Sequence, residues 1–263
     1  MKPQRKPAQI ISHPKLAPGR LALQRLVEEF GATCLKLSTE DAGMSFSQID
    51  YWSRLSKGIV PLVVKIGGPN ARNDIKQLLQ PSISGFIAPM VESPYGLQNF
   101  IEALKSLTSP LQYQRVKKHI NIETVTAVDQ LQNILNSPFA RDLDEITIGC
   151  SDLSQSMNCP VDDLHLLGRV RKSVQMIRKK GHPASVGGGI TPSTIDNFIF
   201  QVRPDKFNTR LITFKVKSGV SHQKAVRAAL EFEILMLDTD CHKGFISLEE
   251  KQFRTEQLHK RLA

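Results

Sequence analysis

Two acidic residues stand where apolar, β-branched stretches of the chain give way to helical patterns. Glu123 ends the stretch KKHINIE, and Asp152 lies in DEITIGCSDL, one strand-and-helix unit further on. Carboxylates that meet at neighbouring strand ends repel each other unless a proton or a cation lies between them. Two carboxylates with open water positions are a usual protein contribution to a Mg²⁺ or Mn²⁺ site. The alternative is that each carboxylate only caps the helix that follows it.

The residues at the neighbouring predicted strand ends disfavour a zinc site and include a lysine that could bind an anionic substrate. No His lies at a neighbouring strand end, which favours an oxygen-preferring ion at Glu123 and Asp152. Lys65 follows the apolar run LVV, where an ammonium group is suited to bind a substrate carboxylate or to stabilise an enolate. Two alternatives for Lys65 are a Schiff base, if burial depresses its pKa, and an ion pair with Glu92 or Glu123.

A run of three glycines follows a later predicted strand. The sequence VGGGI places Gly187 and Gly188 before a helix that begins near Thr191. Bare backbone lets N–H groups approach an anion, and barrels often bind phosphate near the seventh and eighth strands. A tight turn or close packing explains the glycines equally well.

The elements that must position these residues alternate along the whole chain. Eight apolar, β-branched stretches are each followed by a helical pattern, which predicts strands buried on both faces of a parallel sheet. The predicted strands are 8–12, 32–38, 61–68, 84–90, 117–123, 144–153, 183–189 and 206–215. Eight units in 263 residues favour a (β/α)8 TIM barrel. A doubly wound sheet is less favoured, because no dinucleotide or P-loop fingerprint follows any strand.

The last part of the chain lies outside this repeat. We expect residues 1–240 to form the barrel and residues 241–263 to form an additional C-terminal helix that packs on a neighbouring subunit. The stretch reads CHKGFISLEEKQFRTEQLHKRLA, a short linker followed by a helical pattern.

Composition restricts the classes of function. The net charge is +10, and the densest basic run, residues 168–182, is predicted to be the solvated face of a helix. Nucleic-acid binding is not expected, because aromatic interleaving and recognised motifs are both missing. No apolar run reaches membrane-spanning length, and the N-terminus lacks the apolar core of a secretory signal. With four cysteines and no CxxC spacing, a cytoplasmic protein is expected.

Four motifs resemble the HpcH/HpaI aldolase and citrate lyase β-subunit family. They are VVKIGGPNARNDI, GFIAPMVESPYGLQNFI, INIETVTAVDQLQNI and ITIGCSDLSQS, and the similarity extends from about Ser38 to Val216. The resemblance implies a (β/α)8 barrel of the pyruvate and phosphoenolpyruvate type, with Mg²⁺ or Mn²⁺ held by Glu123 and Asp152. It also implies that carbon–carbon bonds are cleaved or formed through a metal-bound enolate of a 2-oxo acid, such as pyruvate or oxaloacetate, or of an acyl-CoA.

Two positions depart from the family pattern. Lys65, in KIGG, stands where family members carry the Arg that binds the keto acid and stabilises the enolate, as in a divergent subgroup of relatives. Lysine keeps the charge but loses the bidentate fork. The stretch STEDAG lacks the family's His, so Glu40, Asp41 or a metal-bound water is expected to transfer the proton. Family members also form homo-oligomers, trimers or hexamers with exchanged C-terminal helices, which implies the same here.

The leading hypothesis is therefore a metal-dependent carbon–carbon lyase or aldolase that acts on a small molecule. Backbone N–H groups near the ends of two strands are expected to complete a cradle for the substrate carboxylate. The candidate substrate-binding residues are Lys65, Pro89, Glu92, Ser93, Ser151, Gly187 and Gly188. Two rival hypotheses are a barrel that has lost turnover and binds an acidic metabolite or a partner, and a metal-free Schiff-base aldolase that uses Lys65.

Overall fold

The computed structural model describes residues 17–80 and 82–263, and at its centre is a closed barrel of eight strands. The strands follow one another around the barrel in chain order: β1 (Ala32–Ser38), β2 (Leu62–Lys65), β3 (Gly85–Ala88), β4 (Lys117–Ile122), β5 (Glu145–Gly149), β6 (Ala184–Gly187), β7 (Lys206–Asn208) and β8 (Ile212–Lys215). The predicted eight-stranded α/β barrel is confirmed. The strand predicted at 8–12 lies outside the described residues.

Helices surround the barrel, and capping side chains set where many of them begin. Those of the described residues are α1 (Pro18–Phe30), α2 (Phe46–Ser56), α3 (Arg72–Leu78), α4 (Pro94–Leu107), α5 (Pro110–Arg115), α6 (Val125–Asn136), α7 (Cys150–Ser156), α8 (Leu164–Lys179), α9 (Ile195–Val202), α10 (His222–His242) and α11 (Leu248–Leu262). Ser93 accepts the Gly96 N–H at the start of α4, and Thr124 accepts the Ala127 N–H at the start of α6. These caps fix the short turns that follow β3 and β4.

The eighth strand runs opposite to the direction expected in a (β/α)8 barrel. β1 to β7 run parallel, whereas β8 pairs antiparallel with both β7 and β1. The prediction of one strand over 206–215 is wrong, because this stretch is a hairpin. The Thr209 N–H donates to the Ile212 carbonyl oxygen at 2.9 Å, and the Thr209 hydroxyl accepts the Ile212 N–H at 3.0 Å. The hairpin tip, with Arg210, therefore lies at the carboxyl-terminal mouth of the barrel.

The chain also leaves β5 earlier than predicted. Because β5 ends at Gly149 and α7 begins at Cys150, the predicted strand 144–153 is wrong beyond Gly149. Asp152 consequently lies in the first turn of α7 rather than on a strand. A Cβ atom on Gly149 would lie 2.6 Å from Oε2 of Glu123, so glycine is needed where β5 passes this carboxylate.

The inside of the barrel differs from the apolar layer between strands and helices. A small apolar cluster of Cys34, Val63 and Ile87 lies apart from the main core. Above it the interior is polar, with buried side chains that bond to one another: Thr213 Oγ1 donates to Asn208 Oδ1 at 2.6 Å, Asn208 Nδ2 donates to Ser185 Oγ at 3.1 Å, and the Thr147 and Ser185 hydroxyl oxygens lie 2.7 Å apart. Most barrels of this type are filled by branched aliphatic side chains. A polar interior is suited to a site that extends below the mouth.

The C-terminal helix α11 packs on α10 of the same chain. Leu258 is buried, and Arg261 donates to the Ile190 carbonyl oxygen at 3.0 Å, which brings the end of the chain to the barrel mouth. The division into 1–240 and 241–263, and packing on a neighbouring subunit, stay predictions. Within the described ranges, no helix combines the length and apolar character that a bilayer crossing requires.

Candidate active site

A cavity of about 450 Å³ opens at the carboxyl-terminal mouth of the barrel. Its volume lies in the range of small-molecule sites. The predicted site residues that line it are Asp41, Lys65, Glu123, Ser151, Asp152, Gly187 and Gly188. Residues from five separate loops and strand ends thus meet in one space, which is the candidate active site.

Glu123 directly follows β4 and is 2% exposed. Its Oε1 accepts the Met90 N–H at 2.9 Å, and its Oε2 accepts from Asn121 Nδ2 at 3.2 Å. Burial raises the pKa of Glu123 and the Asp152 carboxylate raises it further, whereas the Met90 N–H, Lys65 and Asn121 lower it. Because the net pKa shift is upward, these partners do not fully compensate the buried negative charge.

The Met90 backbone is strained where it meets Glu123. Met90 has a φ of 51°, in the left-handed region, which costs on the order of 1–3 kcal/mol for a residue other than glycine. In this conformation its N–H points at Glu123, while its side chain is exposed. Strain of this kind concentrates at functional sites, which favours a role for the loop between β3 and α4 in the site.

Asp152 approaches Glu123 from the first turn of α7. Burial raises the pKa of Asp152, and the carboxylates of Glu40 and Asp41 raise it further. Lys65 and a hydrogen bond with Glu123 lower it, but the net shift is upward. Asp152 and Glu123 are therefore neighbours, and the Asp152 carboxylate disfavours the charged form of Glu123.

The donor set of this pair fits a hard divalent cation. Burial is the main cause that raises the pKa of Glu123 and of Asp152, and a cation between the two carboxyl groups would compensate this buried negative charge. Residues 17–80 and 82–263 contain no cluster of three His, Cys, Asp or Glu side chains that could hold a metal. Water or substrate oxygens would have to complete the coordination, as is common for Mg²⁺. The assignment of Glu123 and Asp152 as metal ligands stays a prediction.

Lys65 ends β2 and pairs with acids other than the expected Glu92 or Glu123. Its Nζ lies 2.7 Å from Glu40 Oε2 and 3.4 Å from Asp41 Oδ1. Burial lowers the pKa of Lys65, but Asp41 and Glu40 raise it by more, so that the net shift is upward. An amine held as an ammonium ion suits charge neutralisation and is a poor Schiff-base nucleophile.

The predicted catalytic acids Glu40 and Asp41 lie in the loop after β1. Burial raises the pKa of Asp41, but Lys65, Ser38 and Arg210 together lower it by more. Arg210 also donates to the Asp41 carbonyl oxygen at 3.2 Å. The loop is thus held to β2 by Lys65 and to the hairpin by Arg210, and Asp41 is held as a carboxylate facing the cavity.

Three of the predicted substrate-binding residues do not line the cavity: Pro89, Glu92 and Ser93. Glu92 accepts the Thr124 hydroxyl proton at 2.5 Å, and Ser93 accepts the Gly96 N–H at 3.1 Å. Both polar side chains therefore have local structural partners, and a direct contact of any of the three with substrate stays a prediction.

The glycine run packs against the start of α7. A Cβ atom on Gly188 would lie 2.4 Å from the Ser151 backbone nitrogen, and Gly188 has a φ of +90°. Close packing is therefore enough to require glycine there. Gly187 and Gly188 line the cavity beside Ser151, and their part in anion binding stays a prediction.

Three cationic residues of the cavity wall are absent from the predicted site: Lys36, Arg210 and Arg261. Lys36 could have been found from the sequence, since it is the one charged residue of β1. Arg210 reaches the mouth only because 206–215 is a hairpin. Arg261 belongs to α11, and the sequence offers no pattern that places this helix at the mouth.

The chain was compared with known proteins. No family model matches the sequence, and no curated protein matches it. Solved structures do match in fold. An HpcH/HpaI aldolase from Desulfitobacterium hafniense DCB-2 aligns with a TM-score of 0.57 and 15% identity, over 70% of this chain and 78% of that one.

Two further structures extend the comparison. An HpcH/HpaI aldolase/citrate lyase family protein from Burkholderia cenocepacia J2315 aligns with a TM-score of 0.60 and 13% identity, over 82% of this chain and 90% of that one. The citrate synthase SbnG aligns with a TM-score of 0.57 and 16% identity, over 86% and 90%. The resemblance read from the four motifs is thereby confirmed at the level of the fold.

Proposed function

We propose that the chain is a divergent member of the HpcH/HpaI aldolase and citrate lyase family, a divalent-metal-dependent carbon–carbon lyase. The observation that carries this proposal is the facing pair of Glu123 and Asp152 at the barrel mouth, both with raised pKa values. The fold shared with the aldolase and citrate synthase structures supports the same class of reaction. The substrate is a 2-oxo acid or an acyl-CoA thioester.

The two carboxylates would hold Mg²⁺ or Mn²⁺. When bound, the ion supplies Lewis-acid polarisation of the substrate carbonyl. Glu123 is positioned for this role by the Met90 N–H and by Asn121, which fix both of its oxygens. Gly149 leaves the space beside Oε2 free of a side chain.

Lys65 would neutralise the negative charge that develops on the substrate. Its ammonium group lies at the mouth, 15% exposed, and is held as a cation by Glu40 and Asp41. A preorganised cation stabilises an enolate more than it stabilises the neutral ketone, which lowers the barrier for carbon–carbon cleavage or condensation. The resemblance assigns this role, stabilisation of the enolate, to the Arg that family members carry at this position.

Proton transfer at the carbon beside the carbonyl falls to the carboxylates of the loop after β1. Asp41 lines the cavity as a carboxylate, and Glu40 lies 2.7 Å from Lys65 Nζ. Either carboxylate would accept the proton while Lys65 keeps the local charge balanced. Arg210 and Arg261 also line the cavity and add positive charge, which suits a substrate that carries a second anionic group.

Exchange of the methyl protons of pyruvate in D₂O, followed by NMR, tests the proposal. We expect exchange that needs Mn²⁺ or Mg²⁺, that stops with EDTA, and that falls by at least about 100-fold in Glu123→Gln. Glu102→Gln is the matched control, because Glu102 is an exposed carboxylate of α4 that bonds to Gln98 and does not line the cavity. No exchange with pyruvate, oxaloacetate or 2-oxobutyrate, with either metal, would rule the proposal out.

A further inference from the structure

Three lysines of the barrel strands differ in their partners. Lys206, near the amino-terminal end, lies 2.5 Å from Glu145 Oε2. Lys65, at the mouth, lies 2.7 Å from Glu40 Oε2. Lys36 lies between these two levels, and it forms no ion pair with any residue in the ranges 17–80 and 82–263. Two lysines thus have structural partners, and the third needs another explanation.

Lys36 is held firmly and faces the candidate active site. Its backbone N–H donates to the Leu211 carbonyl oxygen at 2.7 Å, and it stands in register with Val63 of β2. Its side chain lines the same cavity as Glu123 and Asp152. A molecule that enters from the mouth and reaches these carboxylates therefore shares one space with the Lys36 amine.

The buried polar side chains of the barrel interior form hydrogen bonds with one another and not with the Lys36 amine. Asn208 receives a hydrogen bond from Thr213 and donates one to Ser185, and the Ser185 hydroxyl meets that of Thr147. These groups satisfy one another, as buried polar groups generally do. Lys36 stands outside this network, so a purely structural hydrogen-bonding role does not account for it.

The surroundings of Lys36 favour its neutral form. Burial lowers its pKa and the Lys65 ammonium group lowers it further, and the opposing effects of Cys34, Glu145 and Asp41 are smaller. A lysine that is desolvated beside a second cation is activated as a nucleophile, because a larger fraction of its amine is unprotonated than in an exposed lysine. Lys65 therefore has a second effect in this cavity, on the reactivity of its neighbour.

We propose that Lys36 is a covalent carbonyl-binding site, which forms an imine with a 2-oxo acid or an aldehyde. Nζ attacks the carbonyl carbon, and a proton moves from nitrogen to oxygen to give a carbinolamine. The hydroxyl group then takes up a proton and leaves as water, and a protonated imine remains. No oxidant or reductant is needed. The site requires no metal, so it goes beyond the lyase proposal and does not rest on it.

Reductive trapping tests this site in the full chain. The protein is incubated with pyruvate, or with glyoxylate as an aldehyde probe, in EDTA and sodium cyanoborohydride, and its peptides are mapped by mass spectrometry. We expect a reduced adduct on Lys36. No adduct with either probe, an adduct on Lys65 instead, or equal yields on exposed lysines such as Lys57 and Lys179 would overturn the proposal.

Two charge-preserving variants sharpen the test. Lys36→Arg keeps the cation but lacks the nucleophile, and we expect loss of the adduct. Lys65→Arg keeps the positive charge beside Lys36, and we expect the adduct to persist. If Lys36→Arg proves unstable, trapping in the unmodified chain still decides the matter. Manganese-dependent proton exchange is measured separately, so failure of the imine and failure of the metal site give different results.

Competitive labelling with acetic anhydride gives a second readout that needs no substrate. At pH 8 a neutral amine reacts and an ammonium ion does not, so the labelling rates of Lys36 and Lys65 should differ by about tenfold for each pKa unit between them. We expect Lys36 to react faster than Lys65. Equal labelling, or faster labelling of Lys65, would contradict an activated Lys36.

Discussion

The two ends of the barrel handle buried charge in opposite ways. At the amino-terminal end, Glu145 faces Lys206 at 2.5 Å. Burial raises the pKa of Glu145, but His119 and Lys206 together lower it by more. At the carboxyl-terminal mouth, Glu123 and Asp152 face each other, and both pKa values are raised. The buried carboxylate at the amino-terminal end is neutralised by a cationic partner, whereas the carboxylates at the mouth leave negative charge that a cation can compensate.

This contrast distinguishes charged groups that stabilise the barrel from charged groups that are available to bind a ligand. A buried carboxylate with its own cationic partner stabilises the fold and has no capacity for a ligand. A buried pair of carboxylates destabilises the metal-free fold and persists where something else, such as a metal ion, binds it. The same reasoning separates Lys206 and Lys65, which are paired, from Lys36, which has no ion pair among the residues that the structure describes.

Breaking the amino-terminal pair should have the largest effect on stability. Glu145→Leu leaves the Lys206 ammonium group without a partner, at 27% exposure, and we expect a loss of about 3 kcal/mol in the free energy of unfolding. Urea denaturation measures it. The double variant with Lys206→Met should recover most of the loss. A loss below about 1 kcal/mol would mean that the pair behaves like a surface ion pair.

Removing one charge at the mouth should have the opposite sign. Glu123→Gln removes a carboxylate whose pKa is raised mainly by burial and partly by Asp152. We expect the metal-free protein to gain about 1 kcal/mol in the free energy of unfolding at pH 7. The same urea experiment applies. A loss as large as that of Glu145→Leu would show that the mouth carboxylates are structural.

The pH dependence should separate the two ends further. A raised carboxyl pKa stabilises the fold below the unfolded pKa, and this stability is lost as pH rises through the folded value. A lowered pKa, as for Glu145, gives stability above the unfolded value that is lost as pH falls. We expect the gain from Glu123→Gln to grow between about pH 4 and 7, and the loss from Glu145→Leu to shrink on acidification. Parallel pH profiles of the two variants would contradict the contrast.

Relieving the strain at Met90 should have the smallest effect. Met90→Gly removes the left-handed strain but makes the unfolded chain more flexible, which leaves a net gain of about 0.5–1 kcal/mol. Asn158→Gly is the matched control, with the same φ of 51°, and should change little because Asn tolerates this conformation. Equal gains from the two variants would show that Met90 is not specially strained.

Part of the site could be predicted from the sequence, because the order of βα units places neighbouring strand ends together. Glu123 and Asp152 follow neighbouring strands β4 and β5, and the structure brings them into one cavity. The early end of β5 was not predictable from composition, since apolar residues continue from ITIG into the first helical turn as Cys150 and Leu153. Asp152 still lies at the predicted mouth, because it is only three residues beyond the end of β5.

Two of the missed residues, Arg210 and Arg261, and the observed partners of Lys65 depend on long-range contacts. The hairpin of β7 and β8 lacks a glycine or proline at its tip, so KFNTRLITFK has the pattern of one strand. The partners of Lys65 come from the loop after β1 and not from the neighbouring strand β3. The approach of Arg261 depends on how α11 packs against α10. Local periodicity contains none of this information.

Titration of the metal-free protein with Mn²⁺, followed by the loss of the free-ion EPR signal, tests the central claim most directly. We expect one Mn²⁺ per chain, displaced by Mg²⁺, with affinity lowered by at least about 100-fold in both Glu123→Gln and Asp152→Asn, and unchanged in Glu102→Gln. Binding that survives both mouth substitutions, or no saturable binding in the unmodified chain, would contradict a metal site at Glu123 and Asp152.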